Sequence, residues 1–568
     1  MISDTQQTPM PDSGKWSRIV RVNLLLAISA IMAFAGSHLW GMERQHYQVY
    51  VTGFVLSAGS VLAAWQALNT GWEDYRKKKA FEQLWNEAGG PNSARFLSDE
   101  DLERLGCFEG GRLLGATFSG RLIYAPKKLP ESHSAVFAAN GGGKTSCAGV
   151  PMILSILHQM AAGKKVSLLI NDPKDGEVFG QVAPVLDRLG IPYVLVDNWS
   201  VFKGHPASVH LNPFAMLHRI RKSDPASAEE YIEAIAAALC PMPEHVSHQE
   251  YWYLEPQIRL VIGIKVGLIL YGDRLEPGHV WAIFNSPEQY AKALEIAAKQ
   301  GDEALRGQAL KVMQYMANKQ PHEPSHVGKA LACVSAFSSS GWLHELVPSN
   351  PTKPIFTHDK LMTSPMVVFI VGRSDSSGQA KSYFALELQA FLRAQLTMPF
   401  WRTHYYADEA ASTPIFELTG RIQTVRAKGA RLALVFQSVP GMEKAFGRTG
   451  AKIIANESVV KQYLSFSDPE EAARISAAIG QKIVIKPSVS ATSSRADYSG
   501  TWSVSREPLM SQERLLSMSI NQQLIHIRGA GWVLALKVHQ SEIGPYAQWL
   551  GRNHVEDREP VINIRYQL

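Results

Sequence analysis

The stretch Val136-Phe137-Ala138-Ala139-Asn140-Gly141-Gly142-Gly143-Lys144-Thr145-Ser146 decides the fold. The apolar run Ser134 to Ala139 reads as a strand, three glycines break it, and Lys-Thr opens a helical pattern. That order is the context of the phosphate-binding consensus G-x-x-x-x-G-K-[ST]. Gly143, Lys144 and Thr145 fill its last three positions, while Ala138 stands where its first glycine would be. Glycines reach positive φ without cost, so successive N–H groups of Asn140 to Ser146 can face one anion. Lys144 is expected to reach the β- and γ-phosphates and Thr145 to bind Mg²⁺ through its hydroxyl. The positive N-terminus of the following helix adds to the cradle. The bland alternative is a glycine-rich turn without a ligand.

A phosphate loop needs a strand that ends in carboxylate. His404-Tyr405-Tyr406-Ala407-Asp408-Glu409 supplies one. Asp408 is expected in the Mg²⁺ shell and Glu409 against the attacking water. Alone, such a pair is most often a solvated turn; the loop upstream changes the weighting. Leu434-Val435-Phe436-Gln437 ends a further strand in an amide, a position from which Gln437 can sense the γ-phosphate.

Outward from this centre, short apolar runs alternate with helical stretches from about residue 110, which predicts parallel βαβ units. Residues 226–345 carry helical periodicity with few strand signals and read as an all-α insertion. Tyr251-Trp252-Tyr253 begins an apolar helix there and is expected in the core. Residues 488–505, rich in serine, read as a surface loop.

The N-terminus has a different character. Val22 to Trp40 and Val49 to Leu68 are uncharged runs of 19 and 20 residues. About 20 apolar residues span the hydrocarbon layer as a helix. Lys15, Arg18 and Arg21 precede the first run and Arg76 to Lys79 follow the second, so both ends are expected in the cytoplasm. The expected organisation is therefore a tail, 1–21, and a transmembrane hairpin, 22–72. A first part of the nucleotide-binding domain follows at 73–225, then the all-α domain at 226–345, then the second part and tail at 346–568. The net charge of +6 and the four separated cysteines, Cys107, Cys147, Cys240 and Cys333, imply a mildly basic chain of reduced thiols. They name no partner.

The order of these pieces resembles the type IV coupling proteins, the TraG/TraD-like ATPases of conjugation and type IV secretion. Asp172-Pro173-Lys174-Asp175-Gly176-Glu177 is similar to the family's D-P-K-G-E segment, with Asp175 as an extra residue. Leu211-Asn212-Pro213-Phe214 is similar to its N-P-[LF] signature, and Asp408-Glu409-Ala410 to its D-E-F, with Ala410 for phenylalanine. Arg426 to Gln437 resembles its R-x-x-G-x-R strand ending in Gln. Ala455-Asn456, Ser467 to Glu470 and Arg506 to Leu509 resemble later elements.

The resemblance implies a RecA-like domain that uses ATP and Mg²⁺ as a homo-hexamer at the bacterial inner membrane. It implies secretion-channel components and a relaxase–DNA complex or protein effectors as partners, with inner-membrane lipid around the anchor. It further implies an arginine acting in trans; Arg426 is the matching position and Arg431 the alternative. Two other functions fit the same motifs: a weakly hydrolysing receptor scaffold, and an FtsK/HerA-type DNA translocase. The mixed charges of the helical region do not form the basic stripe of a strong phosphate tracker, so DNA and protein cargo both stay open.

Overall fold

A computed structural model of the chain describes residues 92–130, 133–242, 249–340, 343, 353–415, 417–489 and 500–568, with scattered helical positions between 59 and 86. Among the described residues no helix is long and apolar enough to cross a membrane. The expected span Val22–Trp40 lies outside them, and Val49–Leu68 meets them only at scattered positions.

The chain divides into two compact units. The larger comprises Arg95–Ile479 and Met510–Leu568. Its strands are β1 (Leu113–Ala116), β2 (Leu122–Tyr124), β3 (His133–Phe137), β4 (Ser167–Asp172), β5 (Tyr193–Asp197), β6 (His210–Leu211) and β7 (Ile355–Phe356). Then come β8 (Val367–Val371), β9 (Thr403–Ala407), β10 (Ala430–Phe436) and β11 (Ser458–Tyr463). The smaller unit holds β12 (Gln481–Val489) and β13 (Gly500–Pro508), after which β14 (Gln522–Ile527) and β15 (Gly531–Leu536) return to the larger.

Eleven strands form one sheet in the order β2-β1-β15-β14-β11-β3-β10-β9-β4-β8-β5. From β11 to β5 every neighbouring pair is parallel. Parallel strands covered on both faces read as continuous apolar runs rather than alternating ones. Strand β8, Val-Val-Phe-Ile-Val, is buried at every residue. Beyond β11 the ladder turns antiparallel through β14, β15, β1 and β2. The chain is thus a mixed α/β protein with a large, mainly parallel sheet.

Among the described residues seven α-helices lie between β6 and β7, from Ala215–Ser223 to Glu323–Val334. Their starts are written in the sequence. Asp224, Ser286 and Asp302 cap helix N-termini by accepting backbone N–H bonds, and Pro225 and Pro287 follow two of those caps. The long helix Tyr251–Tyr271 buries Arg259, 1% exposed, between Glu255 and Glu323. Its first turn departs from expectation. Tyr251 and Trp252 are 46% and 37% exposed. They pack edge-on and tilted against His326, with Trp252 also on His322, instead of entering the core. The apolar seam of this helix begins only at Leu260.

In the smaller unit β12 and β13 pair antiparallel from Gln481↔Pro508 to Val489↔Gly500. Residues 488–489 and 500–505 are therefore strand, not the loop their serines imply; cross-strand backbone pairing outweighs weak β-propensity.

Candidate functional site

Parallel pairing puts the carboxyl ends of β3, β10, β9 and β4 side by side at one edge of the sheet. Ligand crevices of open α/β sheets lie at such an edge. Strand β10 is interposed between the loop strand β3 and the acidic strand β9.

The loop leaves β3 at Ala138, whose N–H still donates to the Phe436 carbonyl at 3.1 Å. Ala138 does not share the positive φ of its neighbours, so its methyl group meets no backbone penalty. The residues that do need that conformation are glycine: Gly141 at φ +74 and Gly143 at φ +86. Lys144 to Gly149 form a π-type turn that runs into the helix Val150–Ala161. At the end of this turn Gly149 lies against the Tyr406 ring and hydroxyl of β9, in space that a Cβ would occupy.

Lys144, Asp408 and Glu409 are all buried beside the loop. Asn140 Oδ1 accepts from Lys144 Nζ at 3.4 Å, and that ammonium pairs with Glu409 Oε1 at 3.2 Å. Glu409 sits at φ +52, unusual for a residue with a side chain. Its carbonyl accepts from the Ser412 and Thr413 N–H groups, which holds the turn. Tyr406 Oη donates to Asp408 Oδ1 at 3.2 Å, and Gln437 Nε2 donates to Glu409 Oε2 at 3.1 Å.

Three residues complete the site without a role assigned from the sequence. Lys174, after β4, places Nζ 3.4 Å from Asp408 Oδ2 and 2.7 Å from Glu409 Oε1. Lys537 donates to the Gly142 carbonyl at 3.0 Å from behind the loop. Ser465 Oγ accepts from the Ala139 N–H at 3.1 Å, and a Cβ on Gly142 would lie 2.5 Å from it. Lys174 lay in a quoted motif; nothing in the sequence marks the other two.

The electrostatics are those of a closed cluster of two ammonium groups and two carboxylates. Burial raises the Asp408 carboxyl above the ordinary carboxylate range despite Lys174. Burial also pushes Glu409 upward, but the hydrogen bond and charge of Lys174, with Lys144, outweigh it and leave the group lowered. Desolvation works against the Lys174 ammonium, yet Asp408 and Glu409 raise it to about 12. Asp172, fully buried at the end of β4, is held well above the usual range by desolvation.

The donor set fits a Mg²⁺–nucleotide. Two glycines at positive φ open the backbone cradle, Lys144 lies at its floor, and Thr145 follows. Asp408 Oδ2 and Glu409 Oε1 are buried and accept no hydrogen bond of good geometry among the described residues; ammonium groups alone face them. Hard oxygen donors of that kind suit a hard divalent cation. Ser146 lies beside Cys147, with Oγ 3.8 Å from Sγ.

Arg426 is not brought to this loop. It lies on the helix Leu418–Ala427 before β10 and pairs with Glu457 at 3.3 Å. Arg431, at the start of β10, donates to the Arg426 and Ala430 carbonyls. Both therefore sit towards the amino end of β10, whereas Gln437 follows its carboxyl end.

Loop, interposed strand and acidic strand lie in the order expected of a P-loop α/β protein. The family model TraG-D_C, described as the TraM recognition site of TraD and TraG, matches residues 402–519, which include Asp408, Glu409 and Gln437. Over those residues the chain is similar to the type IV coupling proteins TraD and TraG. No curated protein matches its sequence. Among solved structures, the bacterial conjugative coupling protein TrwBdeltaN70 in an unbound monoclinic form superposes with a TM-score of 0.56 at 15% identity, over 79% of this chain and 93% of that one. Plasmid coupling protein TrwB with the non-hydrolysable ATP analogue ADPNP gives 0.56 at 16% identity, over 78% and 94%. TrwB with ADP and Mg²⁺ gives 0.53 at 16%, over 79% and 94%. Identities this low carry the fold alone.

Proposed function

We propose that the chain is a membrane-anchored, homo-hexameric ATPase that receives relaxase–DNA complexes or protein effectors and passes them to a type IV secretion channel. One observation carries the reading. Lys144, Lys174, Asp408, Glu409 and Gln437 come from four neighbouring strand ends and are linked through contacts at hydrogen-bond or ion-pair distance. A glycine-rich turn with no ligand has no need of buried carboxylates held by two lysines.

In this reading the N–H groups of Asn140 to Ser146 and the Lys144 ammonium bind the phosphates, while Thr145 and Asp408 hold Mg²⁺. The cation supplies charge neutralisation of the phosphoryl oxygens. Glu409, oriented by Gln437, accepts the proton of the attacking water. Arg426 or Arg431 reaches the site of a neighbouring copy, because both lie at the far end of β10 from their own loop. The TrwB structures with ADPNP and with ADP and Mg²⁺ support nucleotide use by this fold. The description of the matched family model supports partner recognition through residues 402–519. The hairpin Val22–Trp40 and Val49–Leu68 would fix the protein in the inner membrane with both ends in the cytoplasm.

The test is steady-state ATP turnover by the full chain in detergent, with and without DNA, beside plasmid or effector transfer in cells. Turnover and transfer both lost in Lys144→Ala is the expected result. Transfer by Lys144→Ala at the wild-type rate would leave a receptor scaffold. Defective chromosome segregation with normal transfer would point to a DNA translocase outside secretion.

A further inference from the structure

The loop that carries Lys174 is fixed at several points. Asp172 Oδ2 accepts the Phe179 N–H at 2.9 Å and so caps the helix Glu177–Leu189. Pro173 fixes its own φ. Asp175, at φ +52, accepts from the Ser374 Oγ at 2.5 Å and N–H at 3.3 Å. Gly176, at φ +69, has Phe202 in the space a Cβ would fill. The His554 ring lies with Nε2 2.7 Å from the Asp175 carbonyl. A loop held this firmly presents one long flexible side chain, and its ammonium ends between Asp408 and Glu409.

The two carboxylates thus already have cations. Lys144 faces Glu409, and Lys174 faces both acids. Phosphates would draw Lys144 into the cradle. A divalent cation on Asp408 cannot share that oxygen with an ammonium 3.4 Å away without strong like-charge repulsion. Lys174 is 32% exposed, so its side chain has solvent to move into.

We infer that Lys174 is a positioning residue that stands in for the divalent cation: it holds the Asp408–Glu409 pair in the metal-free site and is displaced when the metal binds. This rests on the nucleotide-binding reading only for its consequence; the competition itself belongs to the metal-free protein. No covalent step is involved.

The experiment is Mn²⁺ binding to the full, nucleotide-free chain in detergent, followed by electron paramagnetic resonance. It is repeated with ADP present. Lys174→Gln is expected to bind Mn²⁺ about tenfold more tightly than wild type, with ADP affinity in EDTA within about twofold. Lys174→Arg keeps the competing charge and is expected near wild type, while Asp408→Asn loses the metal. Unchanged or weaker Mn²⁺ binding by a folded Lys174→Gln overturns the inference. A wild type that binds Mn²⁺ but no nucleotide overturns the nucleotide reading and leaves the competition to be judged on Mn²⁺ alone.

Discussion

Gln437 Nε2 donates to Glu409 Oε2 across 3.1 Å, so the strand interposed between loop and acids ends by holding the acid. That bond fixes one oxygen of Glu409 and leaves the other to the lysines. Gln437→Ala is expected to leave nucleotide affinity within about threefold and to lower turnover roughly 10- to 100-fold. Phosphate-release kinetics beside equilibrium binding separate the two effects.

Lys537 supports the loop from behind. Lys537→Met removes the donor to the Gly142 carbonyl and frees the site of a buried charge that desolvation already disfavours. The two effects oppose each other in stability but not in binding. Melting temperature is expected to change little, while nucleotide affinity falls about tenfold, the ~1.4 kcal/mol scale of one lost bond. Titration calorimetry and thermal melts of the same sample decide it.

His133 gives the sheet a pH dependence. Leu432 N–H donates to its Nδ1 at 3.0 Å, so Nε2 carries the proton and donates to the Ile422 carbonyl at 2.9 Å. Burial, with the nearby Arg112, Arg431 and Arg426, lowers the group from 6.5 to about 4. A base lowered in the folded state adds stability that is present above its unfolded pKa and is lost as pH falls towards the folded one. From pH 7 to pH 5 the loss is about 2 kcal/mol from this group. Denaturant midpoints at the two pH values should differ less in His133→Gln, and a difference should persist because burial also lowers His404 and His526.

In the helical region Arg259 neutralises two carboxylates while 1% exposed. Arg259→Ala leaves Glu255 and Glu323 facing each other without a cation. The expected cost is about 3–5 kcal/mol, and a further Glu323→Gln change should recover part of it. Urea midpoints followed by circular dichroism give the comparison.

What the sequence reveals of this site follows from how its residues are strung. The phosphate loop is legible because Asn140 to Ser146 are contiguous, and Asp408 to Gln437 because each closes an apolar strand. Lys174 is marked only as part of the segment Asp172 to Glu177, with no role: its partners depend on β4 lying beside β9, a fact of sheet order. Lys537 and Ser465 approach the loop across 395 and 326 residues, and no local pattern reports that. Tyr251 and Trp252 mislead for the opposite reason. Apolar composition marks the helix, but with little amphipathic bias it does not say which turn goes inside.

Gly149 and Tyr406 touch where the loop helix meets the acidic strand. A methyl group at 149 and a phenol at 406 cannot coexist without displacing one element. The two positions are 257 residues apart, yet they are bound to drift as one: a lineage that gains a side chain at 149 must first shrink the ring at 406. Covariation between them across relatives would then record the spacing of loop and acid as a heritable constraint.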